Sequence, residues 1–326
     1  MASPSSKEKP GYEFEEPVQE LDEEIEELRK KADAEEEDVT ERIEELERRR
    51  DDILRDIVDG LTPYQRVQLA RHPERPQSRD YISHTFDDFM ELHGDRRFGD
   101  DRAIITGFAR LEGHKLMLIA QQKGRETKEK METNFGMPQP EGYRKALAKM
   151  KLAEKFKLPV VCLIDTPGAA PALEAEERGQ GMAIAENIFT MAGLRTPIIV
   201  VITGEGCSGG ALGIGVGDRH AMLQNAYYSV ISPEGCAAIL FRDSDKAEEA
   251  ARALRITAPD MMEFGVVDEI IDEPLGGAHR DPIQTADNLQ QYLSRTLQDV
   301  SEVDTETLLD QRYQRYRSLG IYENTN

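Results

Sequence analysis

Apolar positions divide this chain into stretches with different periods. From Val18 to Asp59 they recur every three or four residues, at Leu21, Ile25, Leu28, Val39, Ile43, Leu46, Ile53 and Ile57, the spacing of one helical face. The segment Ala32–Asp38 breaks that register, so two helices packed as a hairpin or laid against a partner fit better than one rod. Their apolar seam is narrow and the remaining surface charged, which suits packing or subunit contact rather than chemistry. Thr62 before Pro63 caps a short helix ending near Arg71, and a second helix is predicted over Arg79–Leu92 with Ile82, Phe86 and Phe89 on one side. Residues 1–16, polar and without period, read as a disordered tail.

Beyond this helical preface, the runs 103–111 and 115–121 flank Glu112-Gly113-His114 and predict a hairpin of two strands. Helix and strand then alternate: helix Pro140–Lys157, strand Pro159–Asp165, helix Glu177–Gly193, strand Pro197–Thr203. Short strands follow near His220–Leu223 and Tyr228–Ile231, a helix starts after Ser232, and helices near Ser244–Leu254 and Ala258–Phe264 precede a strand at Val266–Ile271. The last helices, from about 281 to 318, carry Arg312, Tyr313, Arg315 and Tyr316 and are expected at a subunit interface. The chain therefore divides into a tail (1–16), a helical region (17–92), an α/β core (93–280) and C-terminal helices (281–326).

Composition narrows the class. With 326 residues and 39% hydrophobic content there is material for a sizeable core. The longest apolar runs are strand-length and the N-terminus has no apolar segment, so neither a membrane span nor a secretory signal is expected and the cytoplasm is the default location. Lys and Arg total 41 against 63 Asp and Glu, a net charge of −22 that argues against non-specific nucleic-acid binding. Basic groups do cluster at Lys123, Arg125 and Lys128, which suggests either a solvated loop or a seat for a phosphorylated ligand. Cys162, Cys207 and Cys236 lack metal-ligand spacing, so buried free thiols and no metal are expected.

The chemistry concentrates where the apolar run ending at Thr203 enters the glycine-rich stretch 204–217. Glycines there let the backbone turn sharply and present bare N–H groups to a phosphate, a carboxylate or a transient oxyanion. Gly204, Gly206 and Gly209 match a dinucleotide fingerprint, but no long packed helix follows. Gly206-x-Ser208-x-Gly210 matches a nucleophile elbow, with Asp268 and His279 in the chain order of a serine hydrolase, although His279 sits in a loop with no sign of being positioned. Asp165–Gly168 matches a GTPase turn, but no phosphate-binding loop precedes it.

Eight motifs in order, Gln122–Lys130, Asn134–Pro138, Pro140–Ala146, Ile164–Ala169, Ala175–Gln180, Gly204–Asp218, Tyr228–Ala237 and Glu273–Arg280, resemble the alpha-subunit family of the bacterial-type acetyl-CoA carboxylase carboxyltransferase. The resemblance implies a crotonase-like α/β fold, the ClpP/crotonase superhelix of ββα units, with an N-terminal helical extension. It implies transfer of a carboxyl group from carboxybiotin, presented by a separate biotin carboxyl carrier protein, to acetyl-CoA, giving malonyl-CoA for fatty-acid synthesis. The partners implied are a beta subunit in an alpha2-beta2 heterotetramer and biotin carboxylase in a larger complex, with the zinc element on the beta chain. Within that scheme the amides of Gly209 and Gly210 are expected to hold the biotin ureido oxygen as it gains charge, with Gly168, Ala169 and Gly206 lining the cavity. Lys123, Arg125 and Lys128 would meet CoA phosphates or carrier carboxylates. Two departures from the family's usual pattern, Ala170–Glu174 and Cys207, bear on the shape of the biotin pocket. A serine hydrolase using Ser208 and a non-catalytic interaction subunit are the competing readings.

Overall fold

The computed structural model of the protein describes residues 11–35 and 39–320. The first ten residues of the expected tail and the break at 36–38 lie outside this range. Helix α1 (Glu16–Glu35) and helix α2 (Thr40–Gly60) pack as the predicted hairpin, burying Leu21, Ile25 and Leu46 in a small core of their own. The tail is not disordered up to residue 16: Glu13–Glu15 forms a 3₁₀ turn, and Glu15 is buried against His279, with 3.0 Å between its Oε1 and the imidazole Nε2. A carboxylate with a histidine partner inside the fold gives this segment a reason to dock that its composition does not reveal.

Thr62 caps helix α3 (Pro63–Ala70) by accepting from the Gln65 N–H, as expected. The predicted second helix stops early. Helix α4 covers Ser78–Thr85, Phe86 turns extended, and strand β1 (Asp87–Glu91) joins the sheet, so the core begins before residue 93. Its pairing with β2 competes successfully with helical propensity, a tertiary effect invisible to local pattern.

Strands β2 (Ile104–Leu111) and β3 (His114–Gln121) form the predicted antiparallel hairpin. Helix α5 (Thr127–Glu132) and helix α6 (Pro140–Phe156) lead to β4 (Val160–Thr166). The expected 177–193 helix is α8 (Gln180–Gly193), which starts after Gly179, whose φ of 81° no ordinary helix admits, and a short helix α7 (Leu173–Glu177) precedes it. Strand β5 runs from Ile198 to Cys207, past the expected end at Thr203, into helix α9 (Ser208–Leu212). After it come β6 (Arg219–Leu223), β7 (Tyr227–Ser229), α10 (Pro233–Leu240), α11 (Ala247–Leu254), α12 (Ala258–Glu263), β8 (Glu269–Ile271), α13 (Pro282–Ser301) and α14 (Thr305–Ser318).

Seven strands lie in the order β1-β2-β3-β4-β5-β6-β8, and β7 pairs with the far end of β5. The pairs from β3 through β8 are parallel, which matches their continuous Val/Ile/Leu runs, because strands covered on both faces need no polar alternation. Arg312 on α14, expected at a subunit contact, is instead buried in this chain, with Asp218 and the carbonyls of Met191, Leu194 and Thr196 as acceptors. Arg315 reaches Asp268, the Tyr316 hydroxyl accepts from the Gly217 N–H, and Tyr313 is left exposed. Among the described residues no helix is long and apolar enough to cross a membrane.

Candidate active site

Strand β5 outruns its neighbour β6, and the overhang is what builds the site. Up to Ile202 it pairs with both β4 and β6; its last residues pair instead with β7 and with Thr166 at the tip of β4. Gly206 lies in this overhang because a Cβ there would meet the Tyr228 ring at 2.6 Å. The chain reverses at Ser208, whose φ is 55°, and α9 begins at once.

Gly209 and Gly210 stand in the first turn of α9, where no intrahelical carbonyl is available to their N–H groups. Among the described residues neither amide donates to another acceptor, nor does that of Ala169. The two glycines are not equivalent. A Cβ on Gly210 would lie 2.4 Å from Gly168 C and 2.6 Å from Ala169 N, so α9 presses directly on the loop after β4, whereas a Cβ on Gly209 would meet only Ile184 at 3.5 Å. Gly168 leaves that loop open with a φ of 147°. Two successive strand ends thus bring Gly168, Ala169, Gly206, Gly209 and Gly210 together, as expected from the sequence. Beside them Ser208 and Leu212 form one wall of a largely apolar cavity of about 280 Å³, completed by Tyr228, Val230, Ile256 and Phe264.

The basic cluster does not behave as one unit. Lys123 Nζ sits 2.6 Å from Asp165 Oδ1 and 2.7 Å from Glu205 Oε1, largely buried under the glycine turn. Burial alone would lower its affinity for a proton, yet the two carboxylates raise it. Glu205 also receives Arg71 at 2.7 Å and the Tyr227 hydroxyl at 2.6 Å. Against the upward effect of burial, Lys123 and Arg71 hold its carboxyl at a pKa of about 2. Lys123 is therefore part of an internal ion network with Asp165 and Glu205. Arg125 is clamped by both oxygens of Asp80, at 2.9 and 2.7 Å, and Lys128 is exposed on α5. Arg71, Lys123, Arg125 and Lys130 do line one cavity of about 380 Å³.

The hydrolase reading loses its members. Asp268 is engaged by Arg315 and the His220 N–H, His279 by Glu15, and no histidine lines the cavity at Ser208. The loop of His279 is positioned after all, by a bond from the Ala278 N–H to Glu273. A dinucleotide site fails too, since α9 is only five residues long. Glu15, His72 and His279 place potential ligand atoms within 4.8 Å of one another. However, His72 Nδ1 accepts the Glu74 N–H, which leaves the ring's proton on the Nε2 that faces Glu15, the wrong tautomer for a metal there. The three cysteines are buried free thiols, as expected, and burial pushes Cys207 up to about 11.

The sequence profile of the "Acetyl co-enzyme A carboxylase carboxyltransferase-like" family matches residues 11–320. The chain belongs to that family. It is 53% identical over 313 residues to the acetyl-coenzyme A carboxylase carboxyl transferase subunit alpha of Rhodopirellula baltica, covering 96% of this chain and 98% of that one. It is 55% identical over 310 residues to the subunit of the same name from Methylococcus capsulatus, covering 95% and 97%. Solved structures share the fold at low identity. A transcarboxylase 12S chain superposes with a TM-score of 0.54 at 23% identity, over 68% of this chain and 42% of that longer one. A Pseudomonas malonate decarboxylase chain, from a hetero-tetramer in complex with coenzyme A, gives 0.55 at 18%, over 68% and 89%. The carboxyltransferase-type, crotonase-like α/β fold expected from the motifs is the one observed.

Residues buried beneath the glycines were not singled out from the sequence, although Tyr143 lies within the Pro140–Ala146 motif. Gln121 and Tyr143 both donate to the Gly210 carbonyl, and Asn187 donates to that of Gly213. Glu205 was hidden in plain view, inside the glycine motif.

Proposed function

We propose that this chain, with a beta subunit, transfers the carboxyl group of carboxybiotin, carried on a separate protein, to acetyl-CoA and so forms malonyl-CoA. The observation that carries this reading is the meeting of amides without acceptors, Gly209, Gly210 and Ala169, at two adjoining strand ends in a chain of this family. Loss of carbon dioxide from carboxybiotin puts negative charge on the ureido oxygen, and a backbone amide aimed at that oxygen lowers the barrier. Each such donor contributes on the order of 2.7–4 kcal/mol. Amides suit the task because they neither titrate nor reorganise, and no side chain of this chain need move a proton. The apolar cavity beside Ser208 is the proposed seat of the biotin ring.

The acyl half of the site is assigned to the beta subunit, in an alpha2-beta2 assembly served by the biotin carboxyl carrier protein and biotin carboxylase in the cytoplasm. Phe189 on α8 and Val230, Ile239 and Leu240 around α10 are 84%, 77%, 71% and 67% exposed. Bare apolar side chains of that size near a half-built site favour a protein partner over solvent. Any metal is assigned to that partner. The test is to mix this chain with its beta partner, carboxylated carrier and acetyl-CoA and to measure malonyl-CoA. Formation that needs both chains and is lost in Gly209→Val is expected; a stable complex that forms no malonyl-CoA would reject the proposal.

A further inference from the structure

Beneath the turn that bears the proposed donors lie three side chains with no accessible surface, each from a different element: Gln121 at the end of β3, Tyr143 on α6 and Asn187 on α8. Gln121 Nε2 donates to the Gly210 carbonyl at 2.8 Å, and the Tyr143 hydroxyl donates to the same oxygen at 3.2 Å. Asn187 Nδ2 donates to the Gly213 carbonyl at 2.8 Å and to that of Tyr143 at 3.1 Å, tying α6 to the end of α9. Gln121 cannot flip, because its Oε1 accepts the Asp165 N–H at 3.1 Å while its Nε2 faces a carbonyl. The Tyr143 ring is held just as firmly, since a Cβ on Gly213 would meet it at 2.4 Å.

The reason for such a group is the shortness of α9. Ile214 donates to Ala211 rather than to Gly210, so the Gly210 carbonyl is left without the amide that a longer helix would supply. Peptide planarity then makes that carbonyl a handle. Its plane also holds the Ala211 N–H, and the neighbouring plane, pinned by the bond from the Gly213 N–H to the Gly209 carbonyl at 3.0 Å, holds the Gly210 N–H. Fixing the planes on both sides of the Gly210 Cα fixes where the Gly210 amide aims. We infer that Gln121 and Tyr143, braced by Asn187, are positioning residues that fix the Gly210 backbone and so aim the Gly210 amide at the developing oxyanion. This rests on the carboxyl-transfer reading given above.

The test uses this chain assembled with its beta partner. Tyr143→Phe keeps the ring and removes one donor, and kcat is expected to fall roughly tenfold with KM for acetyl-CoA and for the carrier unchanged. Gln121→Glu swaps the amide donor for a carboxyl that can donate only when protonated, beside Asp165 and Glu205. Its kcat relative to the unsubstituted enzyme is expected to climb as pH falls from about 8 to about 6. A ratio that stays flat with pH, together with an undiminished kcat for Tyr143→Phe, would overturn the inference. Gly209→Val is the control on the underlying reading: if that variant turns over normally, the oxyanion assignment itself is wrong. If it is inactive while the other two are unaffected, only the positioning role is lost.

Discussion

Adding one methyl group at each of the paired glycines separates packing from chemistry. At Gly210 the new Cβ would stand 2.4 Å from Gly168 C and 2.6 Å from Ala169 N, both backbone atoms that no rotamer change can move aside. Relieving that overlap requires α9 and the Gly168–Ala169 loop to part by about 1 Å, and overpacking of this kind costs roughly 1–3 kcal/mol. A displacement of that size between paired donors also costs about 100-fold in rate. At Gly209 the nearest atom is Ile184 Cδ1 at 3.5 Å, ordinary contact, and alanine in a helix gains back up to about 1 kcal/mol over glycine. Gly210→Ala is therefore expected to lower the melting temperature and to cut malonyl-CoA formation by about two orders of magnitude. Gly209→Ala is expected to leave stability unchanged or slightly raised. Thermal denaturation of this chain and initial rates of the reconstituted enzyme are the assays. Equal melting temperatures and equal rates for both variants would refute the reasoning, because the close approach of α9 to the β4 loop would then carry no constraint.

Ser208→Ala is expected to retain full turnover, since among the described residues no His, Asp or Glu lines the cavity at the hydroxyl; a loss beyond about tenfold in initial rate would revive a nucleophilic role. Lys123→Met removes the ammonium between Asp165 and Glu205, leaving Asp165 without that cation while Glu205 keeps Arg71, and is expected to cost about 3–5 kcal/mol in urea unfolding. Were it instead to keep its stability and raise KM for the CoA substrate, Lys123 would belong to the ligand. Glu205 falls from 4.5 in the unfolded chain to about 2, a gap of about 3 kcal/mol. That stabilisation is fully present above pH 4.5 and is lost as pH falls towards 2, so the acid limb of a stability–pH curve is expected to flatten in Glu205→Gln. Arg125→Glu, at a side chain 44% exposed, is expected to change stability by less than about 1 kcal/mol, which leaves its kinetic effect on the carrier or CoA substrate readable.

Local chemistry of the chain determined a good deal by itself. The apolar runs at 103–121, 159–165 and 197–203, with their glycine punctuation, pointed to an α/β core entered by a hairpin, and their continuous apolarity fits the parallel pairing observed, because strands buried on both faces need no polar alternation. Thr62 and Ser232 announced helix starts through caps that act within a few residues. The glycine-rich stretch marked a place where backbones approach each other, and at Gly210 they do, against Gly168 and Ala169.

Tertiary structure decided what those residues are for. Phe89 looked helical and became part of an edge strand, because β2 offered it a ladder to complete. Lys123 looked like a free cation, but Asp165 lies 42 positions further on and Glu205 still further, and only folding puts them on its ammonium. Arg312 was expected at a partner and found one inside, in Asp218. The role of Gln121 and Tyr143 was not legible, since a buried amide or hydroxyl is defined by the carbonyl it reaches, and that carbonyl belongs to a turn far along the chain. Periodicity and turn chemistry are local and can be read from order alone. The pairing of charges and the satisfaction of buried polar groups depend on which distant segments meet, and only the folded chain fixes that.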